Sequence, residues 1–265
     1  MNCNEIQAQE VSMTSGELLK EAKRRFVRLL QSQGDEAYRR ELQSEVVVSR
    51  PLSSAEAIGD PGRDDFPIIR GREVLMQATF KGAVGQAFTA AQGSFKGTLG
   101  DVLALPLEES FERAVFVSTM NAALRYLEKI ELTVHCRDDG PRSCSSQVAD
   151  WLRDQQWEKV GLVGLQPAIL DALVKAFGKE RVMVSDLAEA GSIRSGVRVL
   201  DGLNSMEIFE QCQIILITGS TIVNGTIDEL LDRAREHERR VVLFGVTIAG
   251  AAYLMGLESW CACSS

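Results

Sequence analysis

The sequence predicts an α/β protein in which a parallel, doubly wound sheet follows a smaller α+β unit, and three observations carry that prediction. From residue 160 onward, short apolar runs alternate with amphipathic helical segments, the pattern of strands joined by crossover helices. The run "IILIT" (214–218) is apolar at every position but its last, so that strand is covered on both faces. Nearer the N-terminus, two β-leaning runs, "REVLMQATF" (72–80) and "GAVGQAFTA" (82–90), meet at Lys81 and Gly82 as a hairpin, and hairpin-paired strands beside helices are an α+β feature.

Taken in order, residues 15–32 form an amphipathic helix, with Ser15 as its N-cap, Glu17 in its first turn and a stop near Gly34. "SEVVVSRPL" supplies a short strand, and residues 53–67, rich in Gly, Pro, Asp and Ser, a long irregular loop. After the hairpin comes "GQAFTAAQGSFKGTLGD" (85–101), where Gly93, Gly97 and Gly100 surround Lys96 and Thr98. That segment is either a basic loop able to close over an anion or a turn into the next helix. A helix over 108–128 joins the two halves, giving domains at 1–107 and 108–265; it carries Asn121 on an apolar stretch, bonded in the core or pointing into the cleft.

The second half then reads as strand 160–164, helix 168–177, strand 182–185, strand 197–200, a helix near 205–211, strand 214–218, helix 227–236, strand 241–246 and a last helix from Ala249 to Met255. Strand-to-helix loops therefore gather at the carboxyl edge of the sheet, where open α/β sheets bind ligands. Three of them stand out: Gly164 with Gln166 before Pro167; Thr218, Gly219, Ser220, Thr221 and Asn224, running to Gly225; and Thr247 with Gly250. Thr226 and Glu229 have capping-box spacing. Each loop is expected to present unpaired helix N–H groups to one edge, suiting an anionic or polar ligand. Ordinary turn chemistry would also use these residue types.

Asp186 lies 22 residues beyond Gly164, near the offset at which an acid meets a ribose in dinucleotide folds, but Gly161 and Gly164 do not complete a G-x-G-x-x-G fingerprint. The doubly wound pattern puts Asp186 near the same pocket; alternatively it caps the turn before Leu187. The segment "VHCRDDGPRSC" (134–144) gathers His135, Cys136, Asp138, Asp139 and Cys144, and the tail "WCACSS" adds Cys261 and Cys263. Thiolate, imidazole and carboxylate are all metal ligands, with soft ions favoured by the thiols, so a divalent transition metal is a candidate cofactor. The spacing matches no closed zinc pattern, and the same residues also suit a buried thiol and an Asp-rich turn.

A net charge of −8 leaves no basic surface for nucleic acid or an anionic membrane. The one basic run, Lys20, Lys23, Arg24, Arg25 and Arg28, interleaves with apolar residues as the wet face of a helix. No apolar run spans a bilayer and no signal-peptide core opens the chain, which points to a cytoplasmic protein. Six cysteines at irregular spacing, with no C-x-x-C, read as reduced thiols or ligands. His237 lies in the charged run "RAREHERR", leaving His135 as the histidine available for acid–base chemistry.

The strings "VHCRDDGPRSCSSQVADWL", "VGLVGLQPAI", "TGSTIVNGTIDELL" and "FGVTIAGAAYLMGLESWC", with "DG" at 201–202, together resemble the family described as putative heavy-metal chelation proteins. The likeness covers about residues 120–262. "VLMQATFKGAVGQAFTA" is similar to the small enolase-N-terminal-like domain that precedes the Rossmann-like domain in that family, and 53–67 looks like an insertion. The resemblance implies a two-domain protein with a candidate site between its halves, a link to heavy-metal handling, and one to anaerobic cobalamin-related metabolism. The resulting expectation is a protein that binds a small anionic or metal-bearing ligand in the interdomain cleft. The ligand would be held by the loop residues above with Asn121 and Lys96, and a metal by His135, Cys136, Cys144 and Cys261. The alternatives are an enzyme using a nucleotide-like cosubstrate with Asp186 on a ribose, and a non-catalytic homo-oligomeric binding module.

Overall fold

A computed structural model describes residues 16–265, so Ser15 and Cys3 lie outside the described residues. The N-terminal half runs α1 (Glu17–Gln31), α2 (Asp35–Leu42), β1 (Glu45–Val48), α3 (Ser54–Ile58), β2 (Val74–Phe80), β3 (Ala83–Thr89), β4 (Phe95–Thr98), α4 (Leu99–Ala104) and α5 (Ser110–Tyr126). Its four strands form an antiparallel sheet in the order β3-β2-β1-β4. The hairpin joins β2 to β3 through Lys81 and Gly82, both at positive φ (48° and 83°), as a two-residue turn that follows the strand twist requires.

α1 buries Leu18, Leu19, Ala22, Phe26 and Leu30 and turns its basic residues outward, where Glu21 pairs with Arg24, Arg25 and Arg28. Its first turn is closed from a distance: Gly16 N and Leu18 N donate to the two carboxylate oxygens of Asp228, at 2.9 and 2.8 Å. Asp228 is almost fully buried, and burial, ahead of those two hydrogen bonds, raises its pKa. Asp228→Ala is expected to cost about 1–2 kcal/mol and to speed amide exchange in the first turn of α1 alone; unchanged exchange there would refute this capping role.

The glycine-rich segment 93–100 is neither a loop over an anion nor a plain turn: it supplies β4, paired with β1, and the start of α4. Lys96 projects from β4 and pairs with Glu45 at 3.0 Å, and Thr98 caps α4 in a reciprocal box with Asp101. Two elements had no clear pattern: α2, whose apolar content is slight, and α3, opened by a capping box of Ser53 and Glu56 inside the expected loop.

α5 is buried without a break from Ala114 to Leu124, as a helix must be when layers cover it on all sides. One side lies on β2 and β3; Gly85 permits this, since a Cβ there would stand 2.2 Å from Ala122 N. It also packs against α9 and α11 of the C-terminal half, so a single hydrophobic cluster runs from Leu18 and Phe26 through α5 to Ile215, Ile217 and Ile248.

The C-terminal half comprises α6 (Gly140–Asp154), β5 (Val160–Val163), α7 (Pro167–Phe177), β6 (Val182–Asp186), β7 (Ile193–Arg194), β8 (Val197–Asp201), α8 (Met206–Gln211), β9 (Ile214–Thr218), α9 (Ser220–Asn224), α10 (Ile227–Glu236), β10 (Arg240–Phe244), α11 (Ala249–Met255) and β11 (Ser259–Trp260). The strands lie in the order β11-β10-β9-β5-β6-β8-β7 and all neighbours run parallel except β7, which returns antiparallel along β8. Counting from β5, the central order is that of a Rossmann-like sheet, and the chain reverses direction across the sheet between β5 and β9. No helix among the described residues is long and apolar enough to cross a membrane.

Candidate functional site

A cavity of about 330 Å³ opens at that reversal, bounded by the carboxyl ends of β5, β6, β9 and β10, by residues 58–73, by the start of α6 and by the tail at Trp260 and Cys261. Gly164 turns at φ 86° and a Cβ there would stand 2.2 Å from Thr218 Cγ2, so the crevice exists because this position lacks a side chain. The stretch 53–67 forms one wall, through Ile58, Asp65, Phe66 and Pro67. Asp138 holds that wall: its N–H donates to Ile58 O and its Oδ1 accepts from Asp60 N, so its carboxylate works as a clasp.

Of the expected residues, Gly164, Gln166, Asp186, Thr218, Gly219, Ser220, Asn224 and Thr247 line the cavity, as do His135, Cys136, Cys144 and Cys261. Three do not. Lys96 is on β4 with Glu45. Thr221 turns inward along its own helix, its hydroxyl donating to Thr218 O at 2.7 Å. Asn121 is fully buried; its amide donates to Gln86 O and Val246 O at 3.0 Å, and its Oδ1 accepts from Gly250 N at 2.8 Å.

In each of the three loops the chain itself takes up one backbone N–H that a ligand would otherwise meet. Gln166 Oε1 accepts from Ile169 N, Gly219 N donates to Phe244 O, and Gly250 N is held by Asn121. Residues 220–224, expected as loop, are the short helix α9, which ends at Gly225 in the left-handed region. Thr226 therefore enters α10 with helical dihedrals (φ −100°, ψ −8°) and its side chain makes no capping bond, because that bond needs an extended N-cap. Asp186 is similarly occupied: Oδ2 accepts from Leu165 N, and Oδ1 from Ala188 N and Glu189 N.

What remains for a ligand is a different set. The amide of Asn224 has no hydrogen-bond partner among the described residues, and the hydroxyls of Thr218 and Ser220 meet only each other, at 3.3 Å. His135 packs edge-on against Phe88, and its Nδ1 lies 2.6 Å from Cys136 O; protonated there, the ring keeps Nε2 as its lone-pair nitrogen. Burial, against that hydrogen bond, lowers its pKa to about 4, so the ring is neutral across the physiological range.

Residues 68–73 contribute groups that sequence patterns did not single out. Arg70 and Arg72 line the cavity and both reach Glu189, which also holds Arg194. Glu73 lines it too, without a hydrogen bond among the described residues; burial first, and then the negative charge of Asp186, raise its pKa to about 7. A carboxyl that changes charge near neutrality can donate or accept a proton, or hold a cation. Glu73 sits at the mouth of a strand with no motif around it, so burial and an acidic neighbour are its only signals, and neither is visible in the chain.

The thiols meet the tail as the metal hypothesis requires. Val134 N donates to Ser265 O at 2.7 Å, and Gln147 Nε2 approaches Cys263 Sγ at 3.5 Å. Yet among the described residues no three His, Cys, Asp or Glu side chains converge as a metal-binding set. Burial, and secondarily the other thiols, raise the pKa of Cys136 to about 12 and of Cys144 to about 11, and burial also raises that of Cys261. Residues placed this way do not fit a bare, resident soft ion, which needs three or four converging, deprotonated donors.

Residues 147–256 match the model of the family DUF364, described as putative heavy-metal chelation, and over that span the family resemblance of the sequence is borne out. Among solved structures the chain is similar to a DUF364-family protein of unknown function from Pyrococcus horikoshii, at 17% identity over 87% of this chain and 79% of that one, with a TM-score of 0.50. It is also similar to a DUF364-family protein of unknown function from Desulfitobacterium hafniense DCB-2, at 16% identity over 69% of this chain and 72% of that one, with a TM-score of 0.48. At such identities, only the first likeness bears on the fold and neither on function. No curated protein matches the chain.

Proposed function

We propose that the protein binds, in its interdomain cavity, a small molecule that carries a metal ion or another cationic centre. The observation behind this is the lining itself: the thiols of Cys136, Cys144 and Cys261 and the otherwise unpartnered carboxyl of Glu73 share one cavity without forming a closed shell. An ion that arrives with ligands of its own needs only one or two donors from the protein. A bare ion needs more than these residues offer. A cation also suits the charges present, because Arg70 and Arg72 are spent on Glu189 while Glu73 and Asp186 lie within electrostatic reach of each other. The chelation label of the family agrees with metal as cargo, and the two halves clamp the ligand by contributing opposite walls.

The nucleotide-like alternative draws less support, since Asp186 already accepts three backbone N–H groups. The test is titration of the reduced protein with Cd(II), alone and as its one-to-one complex with 1,10-phenanthroline, followed by thiolate-to-metal absorbance. The complex is expected to bind more tightly than the bare ion, and Cys136→Ser and Cys144→Ser to weaken it about tenfold or more each, whereas Cys212→Ala, remote in the other core, leaves it unchanged. Equal affinity in all variants would show that the cavity thiols are structural and remove this reading.

A further inference from the structure

Behind the wall formed by residues 61–70 lies a second, open pocket of about 660 Å³, between that segment, the start of α6 and one face of α7. Its lining inverts the charge of the molecule. The whole chain carries 29 basic and 37 acidic residues, but here Arg63, Arg70, Arg142, Lys175 and Arg194 face only three carboxylates, those of Asp64, Asp65 and Asp171.

The pairing inside the pocket does not cancel this excess. Arg63 takes both Asp65, at 2.6 Å, and Asp171, at 2.8 Å. Arg70 and Arg194 lean on Glu189, which belongs to the inner cavity. Arg142 meets only the highly exposed Asp139, at 3.6 Å, and Lys175 makes no ion pair among the described residues. Arg142 and Lys175 are therefore the cations held most loosely, and the arginines beside them are braced by neighbours, which fixes their planes for recognition of anionic oxygens.

The two pockets adjoin. Asp65, Phe66, Arg70, Pro141 and Ser145 line both, so one layer of side chains separates them. We propose that the outer pocket is an anion-binding subsite that takes the phosphate or carboxylate groups of a small molecule. The pocket binds such anions whatever occupies the cavity. That the same molecule reaches across the shared wall, with its cationic or metal-bearing part inside, rests on the function proposed above. A ligand of this kind is acidic at its periphery and cationic at its centre, and the protein matches it with basic residues outside and thiols and Glu73 within.

The experiment is calorimetric titration of the full-length protein with inorganic pyrophosphate and, separately, with citrate, at low and at moderate salt. Both anions are expected to bind, with affinity falling as salt rises. Lys175→Glu and Arg142→Glu, both at exposed positions that carry no packing, should each weaken binding by at least about tenfold. Lys129→Glu, at an exposed position just beyond the end of α5 and outside the pocket's lining, should leave it unchanged. The tighter of the two anions then identifies the group as phosphate or carboxylate. Absence of binding by either anion to the wild-type protein, or equal losses in all three variants, would overturn the subsite. Cys136→Ser must retain anion binding, so a failure of the cavity thiols and a failure of the outer pocket are read separately.

Discussion

Replacing Asn121 with leucine is expected to cost the fold about 3 kcal/mol or more, the largest loss anticipated for a substitution outside the apolar core. Leucine keeps the branched skeleton of the side chain but is bulkier, so the loss combines the missing hydrogen bonds with a smaller overpacking cost. The amide group of Asn121 holds the carbonyls of Gln86 on β3 and of Val246 after β10, and its oxygen holds the N–H of Gly250 at the start of α11. The three partner groups are inside the protein, where a donor or acceptor left alone costs about 1–3 kcal/mol. These bonds tie the N-terminal sheet to the C-terminal one through α5, so the substitution should also lower the cooperativity of urea unfolding. An unchanged midpoint would mean that packing around α5, and not Asn121, holds the halves together. Gly250 allows no escape route, since a Cβ there would stand 2.6 Å from Asn121 Oδ1.

Across the acid range, two half-buried groups in the cavity should oppose each other. Glu73 titrates at about 7 in the fold against an ordinary 4.5, so between those values the folded protein holds a proton that the unfolded chain has released. Its contribution therefore falls as pH rises from 4.5 to 7, by on the order of 3 kcal/mol at most. His135 titrates at about 4 in the fold against 6.5, so the unfolded chain takes up its proton first as pH falls. Its contribution therefore falls as pH drops from 6.5 to 4, by a similar amount.

Stability relative to wild type separates the two. Glu73→Gln should gain stability above pH 7 and lose the advantage below pH 4.5. His135→Gln should show its gain at pH 4 and none from histidine ionisation above pH 6.5. Denaturant midpoints measured from pH 4 to 8 decide this, and parallel curves for wild type and both variants would show that neither group is desolvated as described. A cationic ligand should lower the pKa of Glu73, so its binding should release protons near pH 7.

The hairpin at Lys81 and Gly82, the five parallel strands β5, β6, β8, β9 and β10 and the helices α7, α8 and α10 are legible because periodicity and turn chemistry are local properties of a chain. The same alternation predicted that the loops after β5, β6, β9 and β10 reach one edge, and they do line one cavity. The errors share a single cause. Thr221, Asn121 and Lys96 suit a ligand by residue type, but a hydroxyl, an amide or an ammonium serves whichever partner is nearest. For Thr221 that is Thr218 O, and for Asn121 three separate segments. α9 escaped notice because five residues of small and β-branched type carry little helical preference, and the neighbouring layers supply the stability.

What the sequence determined by itself is the alternation of the main strands and helices of the C-terminal half, the hairpin before it, the acid excess and the segments on which the thiols lie, all of them set by local preference and by charge count. Only the tertiary structure decided that residues 53–73 wall the cavity, that Glu73 comes within electrostatic reach of Asp186 in a half-buried position, that Cys136, Cys144 and Cys261 stop short of a metal shell, and that five basic residues meet behind Phe66. Each of these depends on distances between residues tens to hundreds of positions apart. Such distances are fixed by how α5 and the two sheets pack, and charge, burial and coordination all follow from distance.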